Sequence, residues 1–380
     1  MYLPSTQKDI AAELERGIEE NSLSQSLLFY GPPGSSKLTA AFDLAFLMMD
    51  ANDRRSMLST GQIAFLPSRD LGIQLKAAVS LFRNQRSSRS RIFFIQSVRT
   101  ALMQYHAAFS SIKDSGLSGA FADASEVDVA LYSFEEERDY SESEINEITA
   151  LVSSKIVNER FLSRGRKNGA SIDEIRAIQD WFSSGSDEKF AVIENIEDAS
   201  DGAKNSLLKV LEEPDEHCHI ILLSSSGSRM LPTLLSRVRK FRFPELSSSA
   251  VSGLVGSLFS IYGSYSSIDM FLFQMAISKE EREAVDEGAD KYVEAFLSSR
   301  MLPRSDEASL FALLDRLGAY GYFRKKVVEA LEKDFISNGN SYMAMRKKAI
   351  LSDCIRASQV YNLPIKAALD LALREASVVE

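Results

Sequence analysis

The sequence predicts an α/β protein whose first part is a mostly parallel sheet covered by helices, followed by a region made only of helices. Three observations support this fold class. A strand, a glycine-containing loop and an amphipathic helix follow one another near the start of the chain. Strands and helices alternate between about residues 170 and 245, as they do in parallel sheets with both faces covered. Beyond Pro244 the apolar residues recur only at helical spacing.

The elements at the start of the chain are a helix over Asp9–Glu20, a strand over Ser26–Tyr30 and a second helix after the intervening loop. The strand is an apolar run, which indicates a buried position. In the second helix, Phe42, Ala45, Phe46 and Met49 repeat at i, i+3, i+4 and i+7. Strand, loop and helix therefore occur in the order that a phosphate-binding loop requires.

The loop itself departs from the working pattern G-x-x-x-x-G-K-[ST]. In that pattern backbone amides and a lysine hold phosphates, and the hydroxyl binds Mg²⁺. Serine occupies the second glycine position and leucine the hydroxyl position. The candidate nucleotide-binding residues are Gly31, Gly34, Ser36, Lys37 and, one residue beyond the hydroxyl position, Thr39. The sequence thus predicts a degenerate nucleotide site.

Residues 51–165 give weaker signals and are predicted to contain an insertion. Ile63–Leu66 is a candidate core strand, and Arg91–Ile95 is a strand or the start of a helix. A local cluster of arginines at 83, 86, 89 and 91 is interpreted as a solvated face. Asp114–Glu147, rich in serine, acidic residues and glycine, is expected to be a partly disordered surface insertion.

Regular structure resumes at Ser171, where Ser-Ile-Asp-Glu forms a helix-capping box. The predicted elements that follow are the strand Lys189–Ile193, the helix Asp201–Glu213, the strand His219–Leu223 and the strand Phe241–Phe243. Glu194 follows the first of these strands and is a candidate Mg²⁺ ligand. Asn195 stands where a general base would be needed, and an amide cannot accept that proton.

The predicted domains are a nucleotide-binding-like domain over 1–244, with the insertion at about 51–165, a small helical domain over 245–300 and a helical domain over 301–380. The net charge of −9 argues against strong independent nucleic-acid binding, so protein partners are expected. No apolar run is long enough to span a membrane, and the start of the chain resembles no signal peptide. The two cysteines favour a reducing cytoplasm.

Several segments together resemble the bacterial clamp-loader ATPase family of the DNA polymerase III holoenzyme. The most specific are L-L-K-x-L-E-E-P, ending at Pro214, and the Ser236–Arg237 pair. The other similar segments are 14–17, 26–34, 171–176, 189–200 and, loosely, 359–366. The resemblance covers residues 1–50 and 170–245 well and residues 51–165 hardly at all.

The resemblance implies an AAA+ domain, a helical lid and a helical collar that joins five subunits into an open ring. That ring loads the sliding clamp onto primed DNA, and the implied partners are gamma/tau and delta subunits. The three departures at Ser36, Leu38 and Asn195 indicate a member that does not hydrolyse ATP, with weak or absent ATP and Mg²⁺ binding. Arg237, with Ser236, would then serve as an arginine finger in the site of a neighbouring subunit. Valine at 238 replaces the cysteine that usually follows that arginine.

Many members of the family carry a four-cysteine zinc module after the phosphate-loop helix, which this sequence lacks. No cysteine precedes Cys218, so neither zinc nor another cofactor is expected. The His217-Cys218-His219 triplet is interpreted as an ordinary strand entrance. A salt bridge within the domain is the alternative role for Arg237.

Two other functions remain open at this point. One is an active clamp-loader ATPase of the gamma/tau type, against which Leu38 and Asn195 argue. The other is a different AAA+ interaction module, such as a helicase loader, which would not require clamp-loader partners.

Overall fold

The computed structural model describes residues 7–49, 61–110, 112, 117–163, 169–185, 187–225, 230–338, 346–347, 349–354 and 365–378. The chain forms two compact units, Met1–Ala276 and Ile277–Glu380. Within the described residues, no helix is both long and apolar enough to cross a membrane.

The first unit contains five strands: β1 Ser26–Tyr30, β2 Ile63–Leu66, β3 Lys189–Ile193, β4 Cys218–Ser224 and β5 Arg239–Arg242. Its helices are α1 Lys8–Glu19, α2 Lys37–Met48, α3 Gly72–Gln85, α4 Ser88–Leu102, α5 Leu117–Leu131, α6 Glu142–Lys155, α7 Glu159–Leu162, α8 Ile172–Phe182, α9 Asp201–Glu212, α10 Pro232–Leu235, α11 Ser248–Phe259 and α12 Ile268–Ala276. The second unit contains α13 Lys279–Leu297, α14 Arg304–Leu317, α15 Tyr320–Asn338 and α16 Ile365–Val378.

The five strands form one parallel sheet in the order β2-β3-β4-β1-β5. Strand β1 therefore lies between β4 and β5, with Leu28 paired to Leu222 on one side and to Lys240 on the other. Because all strands point the same way, the residues that follow them meet at one edge of the sheet. The structure confirms the predicted fold class, an α/β domain with a parallel sheet followed by helices.

Each face of the sheet is covered by its own apolar core. Leu28 points into a core shared with α8 and α9, which includes Ile178 and Leu207. Phe29 points the opposite way, into a core shared with α1 and α2 that includes Leu14 and Phe42. This alternation follows from the period of two in a strand, and it explains why β1 is apolar on both faces.

A third core, which we call the helical lobe, is formed by α3 to α7. Its buried residues run from Leu71 to Leu162 and include Phe94, Val127 and Val152. The expectation of a partly disordered insertion over Asp114–Glu147 is therefore wrong for the described residues from 117 onward, which are largely helical and contribute to this core. Residues 51–60, at the start of the larger insertion predicted over about 51–165, lie outside the described residues.

The predicted arginine cluster is only partly a solvated face. Arg86 is exposed and pairs with Glu142. Arg91 is 2% exposed and donates to the Phe134 carbonyl at 2.9 Å, so the prediction is wrong for this residue. The segment around it is a helix, α4, rather than a strand.

The helices after the sheet divide between the two units. Helices α11 and α12 belong to the first unit, where Val255 and Phe271 pack with Leu81 of α3. Helix α13 belongs to the second unit, where Tyr292 donates to the Leu369 carbonyl at 2.8 Å. The division into three domains at 244 and 300 stays a prediction.

Candidate functional site

The loop between β1 and α2 keeps the backbone conformation of a phosphate-binding loop despite its altered sequence. Gly34 has φ 75° and Ser36 has φ 63°, in the left-handed region that glycine adopts at least cost. A Cβ at Gly31 would lie 2.1 Å from the Phe243 carbonyl oxygen, so only glycine fits there. Serine at 36 therefore accepts a conformation that disfavours it by about 1 kcal/mol. Thr39 lies half-buried in the first turn of α2.

The Lys37 ammonium is bound by the loop itself. It donates to the carbonyl oxygens of Gly31 at 2.6 Å and Pro32 at 2.7 Å, and to Ser35 Oγ at 3.1 Å. The pKa of Lys37 is lowered to about 8, first by burial and then by the charge of Arg69, while the carboxylates of Glu194 and Glu197 oppose the shift. A phosphate would have to replace these loop acceptors in order to contact the lysine.

Glu194, the candidate Mg²⁺ ligand, forms an ion pair with an arginine. Arg69 Nε donates to Glu194 Oε2 at 2.9 Å, and its Nη2 contacts the other carboxylate oxygen. The amide of Ser68 also donates to Oε2, at 3.2 Å. Strands β2 and β3 are neighbours, with Leu66 paired to Ile193, so the residues following them meet at this point. The Arg69 guanidinium therefore contacts both carboxylate oxygens of Glu194, the atoms through which this residue would bind a metal.

The side chains of Asn195 and Glu197, which follow Glu194, also form hydrogen bonds within the domain. Asn195 adopts the left-handed conformation at φ 46°, which asparagine tolerates, and its Nδ2 donates to the Ser68 carbonyl at 3.0 Å. Glu197 is 7% exposed and accepts from the amide and hydroxyl of Ser225, at 2.8 and 2.6 Å. Both side chains therefore fix loops at the carboxyl edge of the sheet.

The residues present do not fit a magnesium–ATP complex. Leu38 supplies no hydroxyl, Glu194 is paired with Arg69, and Asn195 cannot accept a proton. The glycines, the start of α2 and Lys37 retain the geometry that favours an anion. This site therefore retains groups that favour an anion and lacks groups that would hold a metal ion.

Arg237 lies apart from this site, just before β5. Its Nη1 donates to the Thr233 carbonyl at 2.8 Å and to Ser236 Oγ at 3.3 Å, and its Nη2 pairs with Glu212 of α9. The side chain remains 32% exposed. The intradomain salt bridge is thus formed, and the guanidinium still reaches solvent.

In the His217-Cys218-His219 triplet, both histidines contact one carboxylate, that of Glu188. His217 Nδ1 lies 3.1 Å from Glu188 Oε1, and His219 Nε2 lies 2.8 Å from Oε2. Cys218 points away from them and is buried. In the described part of the chain, no group of three or more His, Cys, Asp or Glu residues is arranged to hold a metal ion.

Two residues at the loop were missed by the sequence reasoning. Arg69 could have been noticed as a cation shortly after β2, at the edge where Glu194 was expected. Gln7 is 1% exposed, and its Nε2 donates to the Ser35 carbonyl, which anchors the loop to the start of α1. No local pattern identifies Gln7, because its partner lies 28 residues away.

Comparison with known proteins shows that part of the chain is similar to DNA polymerase III subunits. The family model described as "DNA polymerase III, delta subunit" matches residues 115–247. The DNA polymerase III subunit tau of Bacillus subtilis is 37% identical over 90 residues, or 23% of this chain and 16% of that protein. The delta' subunit of the same organism is 33% identical over 81 residues, or 20% of this chain and 25% of that protein.

The chain thus aligns with a quarter or less of the length of each of these curated relatives. A crystal structure of a DNA polymerase III gamma-subunit-related protein from Thermotoga maritima is also similar, with a TM-score of 0.42 and 13% identity. That match covers 96% of this chain and 99% of the other.

Proposed function

We propose that this chain is a clamp-loader subunit of the delta prime type, which supports the loader ring without hydrolysing ATP. The observation that carries the proposal is the Arg69–Glu194 ion pair beside a phosphate loop that has leucine in place of its Mg²⁺-binding hydroxyl. The similarity to tau and delta' subunits supports membership of such a complex. Gamma/tau and delta subunits are the proposed partners, and the sliding clamp and primed DNA are reached through the complex, in the cytoplasm.

The proposal requires that the purified chain hydrolyse no ATP above background. Working phosphoryl-transfer enzymes turn over at roughly 1 s⁻¹ or faster. A steady-state assay with Mg²⁺ tests this directly, with Lys37→Ala as the control that attributes any turnover to this loop. Turnover on the order of 1 s⁻¹ that is lost in Lys37→Ala would disprove the proposal.

We further propose that Arg237 acts as an arginine finger in the ATP site of an adjacent gamma-type subunit. A guanidinium can stabilise the charge of a transferring phosphoryl group from a neighbouring chain. Arg237 is partly exposed, and its ion pair with Glu212 is a surface interaction worth about 1 kcal/mol or less. That pair can therefore open at small cost when a phosphate is presented.

The test is reconstitution of the loader with Arg237→Ala. Arginine fingers contribute roughly 10³- to 10⁵-fold in rate elsewhere, so DNA-stimulated ATPase at the dependent site should fall sharply while assembly stays intact. Arg237→Lys should rescue poorly, because a point charge does not reproduce the planar fork. Arg239→Ala is the matched control, since Arg239 lies two residues away and pairs with Glu13. Unchanged ATPase and clamp loading in Arg237→Ala would show that Arg237 is structural.

The second candidate function is an active ATPase of the gamma/tau type. It is favoured by the higher identity to tau, 37% against 33% for delta'. The two functions make opposite predictions for the same ATPase assay of the isolated chain, so one measurement separates them.

A further inference from the structure

The feature that suggests a further activity is a groove on the face of β1 and β5, next to the phosphate loop. Its volume is about 690 Å³, within the range of ligand-binding clefts. Tyr30 and Leu235 are its half-buried apolar lining residues, and Lys240 and Arg242 contribute two cations. Gly31 and Pro32 of the phosphate loop also line it. One carboxylate, the exposed Glu245, also belongs to the lining.

Both cations point to the same side because of the strand register. Leu28 pairs with Lys240 and Tyr30 with Arg242 in the parallel β1–β5 ladder, while Phe241 between them is buried on the opposite face. Residues two apart in a strand are separated by roughly 6.6 Å. An extended peptide presents its alternate side chains at the same interval.

The two cations of the groove differ from the neighbouring arginines, which are paired with carboxylates. Four basic residues lie within Arg237–Arg242, and two of them are neutralised within the domain: Arg237 by Glu212 and Arg239 by Glu13. Among the described residues, the side chains of Lys240 and Arg242 have neither a hydrogen bond nor an ion pair, and both residues are exposed. Residues 226–229, which follow the groove-lining Ser225, contain no aspartate or glutamate.

We propose that this groove binds an extended acidic segment of a partner protein, with two carboxylates on Lys240 and Arg242 and an apolar side chain against Tyr30 and Leu235. Among the described residues, strand β5 ends the sheet and has a strand neighbour only on its β1 side. A protein segment is favoured over nucleic acid because the chain carries a net charge of −9, which opposes a long polyanion more than a short peptide. The lining contains neither Lys37 nor Glu194, but it includes Gly31 and Pro32, whose carbonyl oxygens accept from Lys37, so the groove adjoins the nucleotide site.

The test measures binding of a fluorescein-labelled peptide, by anisotropy, to the full chain. The peptide repeats Glu-Ser-Glu-Ser-Leu-Ser, so that glutamate and leucine share one face of the extended backbone. A second peptide with glutamine in place of glutamate controls for the charge. The double variant Lys240→Ala/Arg242→Ala should weaken binding about tenfold, the combined effect of two exposed charge pairs. Arg239→Ala should leave binding within about twofold of the unmodified chain.

Three results would overturn the proposal. The first is no binding of the acidic peptide by the unmodified chain at 0.5 mM, about the concentration at which a weak docking site is half-filled. The second is equal binding of the glutamine peptide, or an equal loss in Arg239→Ala. The third is a single-stranded oligonucleotide that binds more tightly than the peptide and depends equally on Lys240 and Arg242, which would assign the groove to nucleic acid.

Discussion

The Arg69–Glu194 pair allows a quantitative test of how the altered site is held together. The Glu194 side chain is 5% exposed and that of Arg69 is 45% exposed. Removing one partner of a fully buried pair costs about 3–5 kcal/mol, whereas an exposed pair contributes about 1 kcal/mol or less. Arg69→Met would leave the Glu194 carboxylate buried with the Ser68 amide as its remaining described donor. We therefore expect a loss of about 2 kcal/mol in the free energy of unfolding, between those two limits.

The matched variant is Glu194→Gln, which removes the charge without leaving a buried ion. It should cost about 1 kcal/mol, the usual net value of a hydrogen bond. The double variant should cost about the same as Glu194→Gln alone, because no carboxylate is then left unpaired. The expected coupling energy is thus about 2 kcal/mol, well above the roughly 0.5 kcal/mol within which independent sites add.

Urea denaturation followed by tryptophan fluorescence provides the measurement. The chain has a single tryptophan, Trp181, in α8 of the first unit, so the signal reports the unit that contains the pair. If Arg69→Met lowers the free energy of unfolding by less than about 0.5 kcal/mol, or if the two variants are additive, Glu194 is not held as a buried carboxylate by Arg69.

Four further predictions concern the loop and one helix cap. Because Lys37 has a pKa of about 8, the affinity for sulfate, which stays fully ionised in this range, should fall about tenfold per pH unit above pH 8 in calorimetry, and should be pH-independent there in Lys37→Met. The same lowered pKa makes the Lys37 contribution to stability rise with pH between about 8 and 10.5, and a falling contribution would contradict the assignment. Gly31→Ala should lower the urea midpoint strongly because its Cβ would meet the Phe243 carbonyl at 2.1 Å; an unchanged midpoint would mean that the loop is not held as described. Ser171→Ala should cost about 1 kcal/mol through loss of the capping box, whereas Ser184→Ala, beyond the end of α8, should cost less.

Three strands of the sheet were predictable because their signals are local, whereas the strand predicted over Phe241–Phe243 is observed at Arg239–Arg242. The runs Ser26–Tyr30, Ile63–Leu66 and Lys189–Ile193 are short and apolar, and each has the predicted bounds. The capping box at Ser171 was predictable for the same reason, since its partner Glu174 lies three residues away.

The helical lobe was not predictable from composition, because its acidic residues have distant partners. Asp128 and Glu135 pair with Arg99, which is 1% exposed, and Asp123 pairs with Arg160. Along the sequence these carboxylates suggested solvent and disorder. In the fold they neutralise arginines from other helices, which allows the apolar residues between them to be buried.

The candidate site was predictable in its backbone and not in its electrostatics. The predicted order of strand, loop and helix is present as β1, the loop and α2, whereas the left-handed conformations at Gly34 and Ser36 were not predicted. The Arg69–Glu194 pair depends on β2 lying beside β3, and no local pattern specifies that adjacency.

The arrangement of the first unit also determines the order in which it can fold. All the residues of the helical lobe core come from one continuous stretch, Leu71–Leu162. The sheet, in contrast, requires β1 to pair with β4 and β5, which come much later in the sequence of the unit. Closing such a long loop is entropically unfavourable, and topologies with distant contacts fold slowly. Compaction of the lobe shortens the loop that β1 must close, so its amides should gain protection before those of β1 in pulsed hydrogen exchange during refolding.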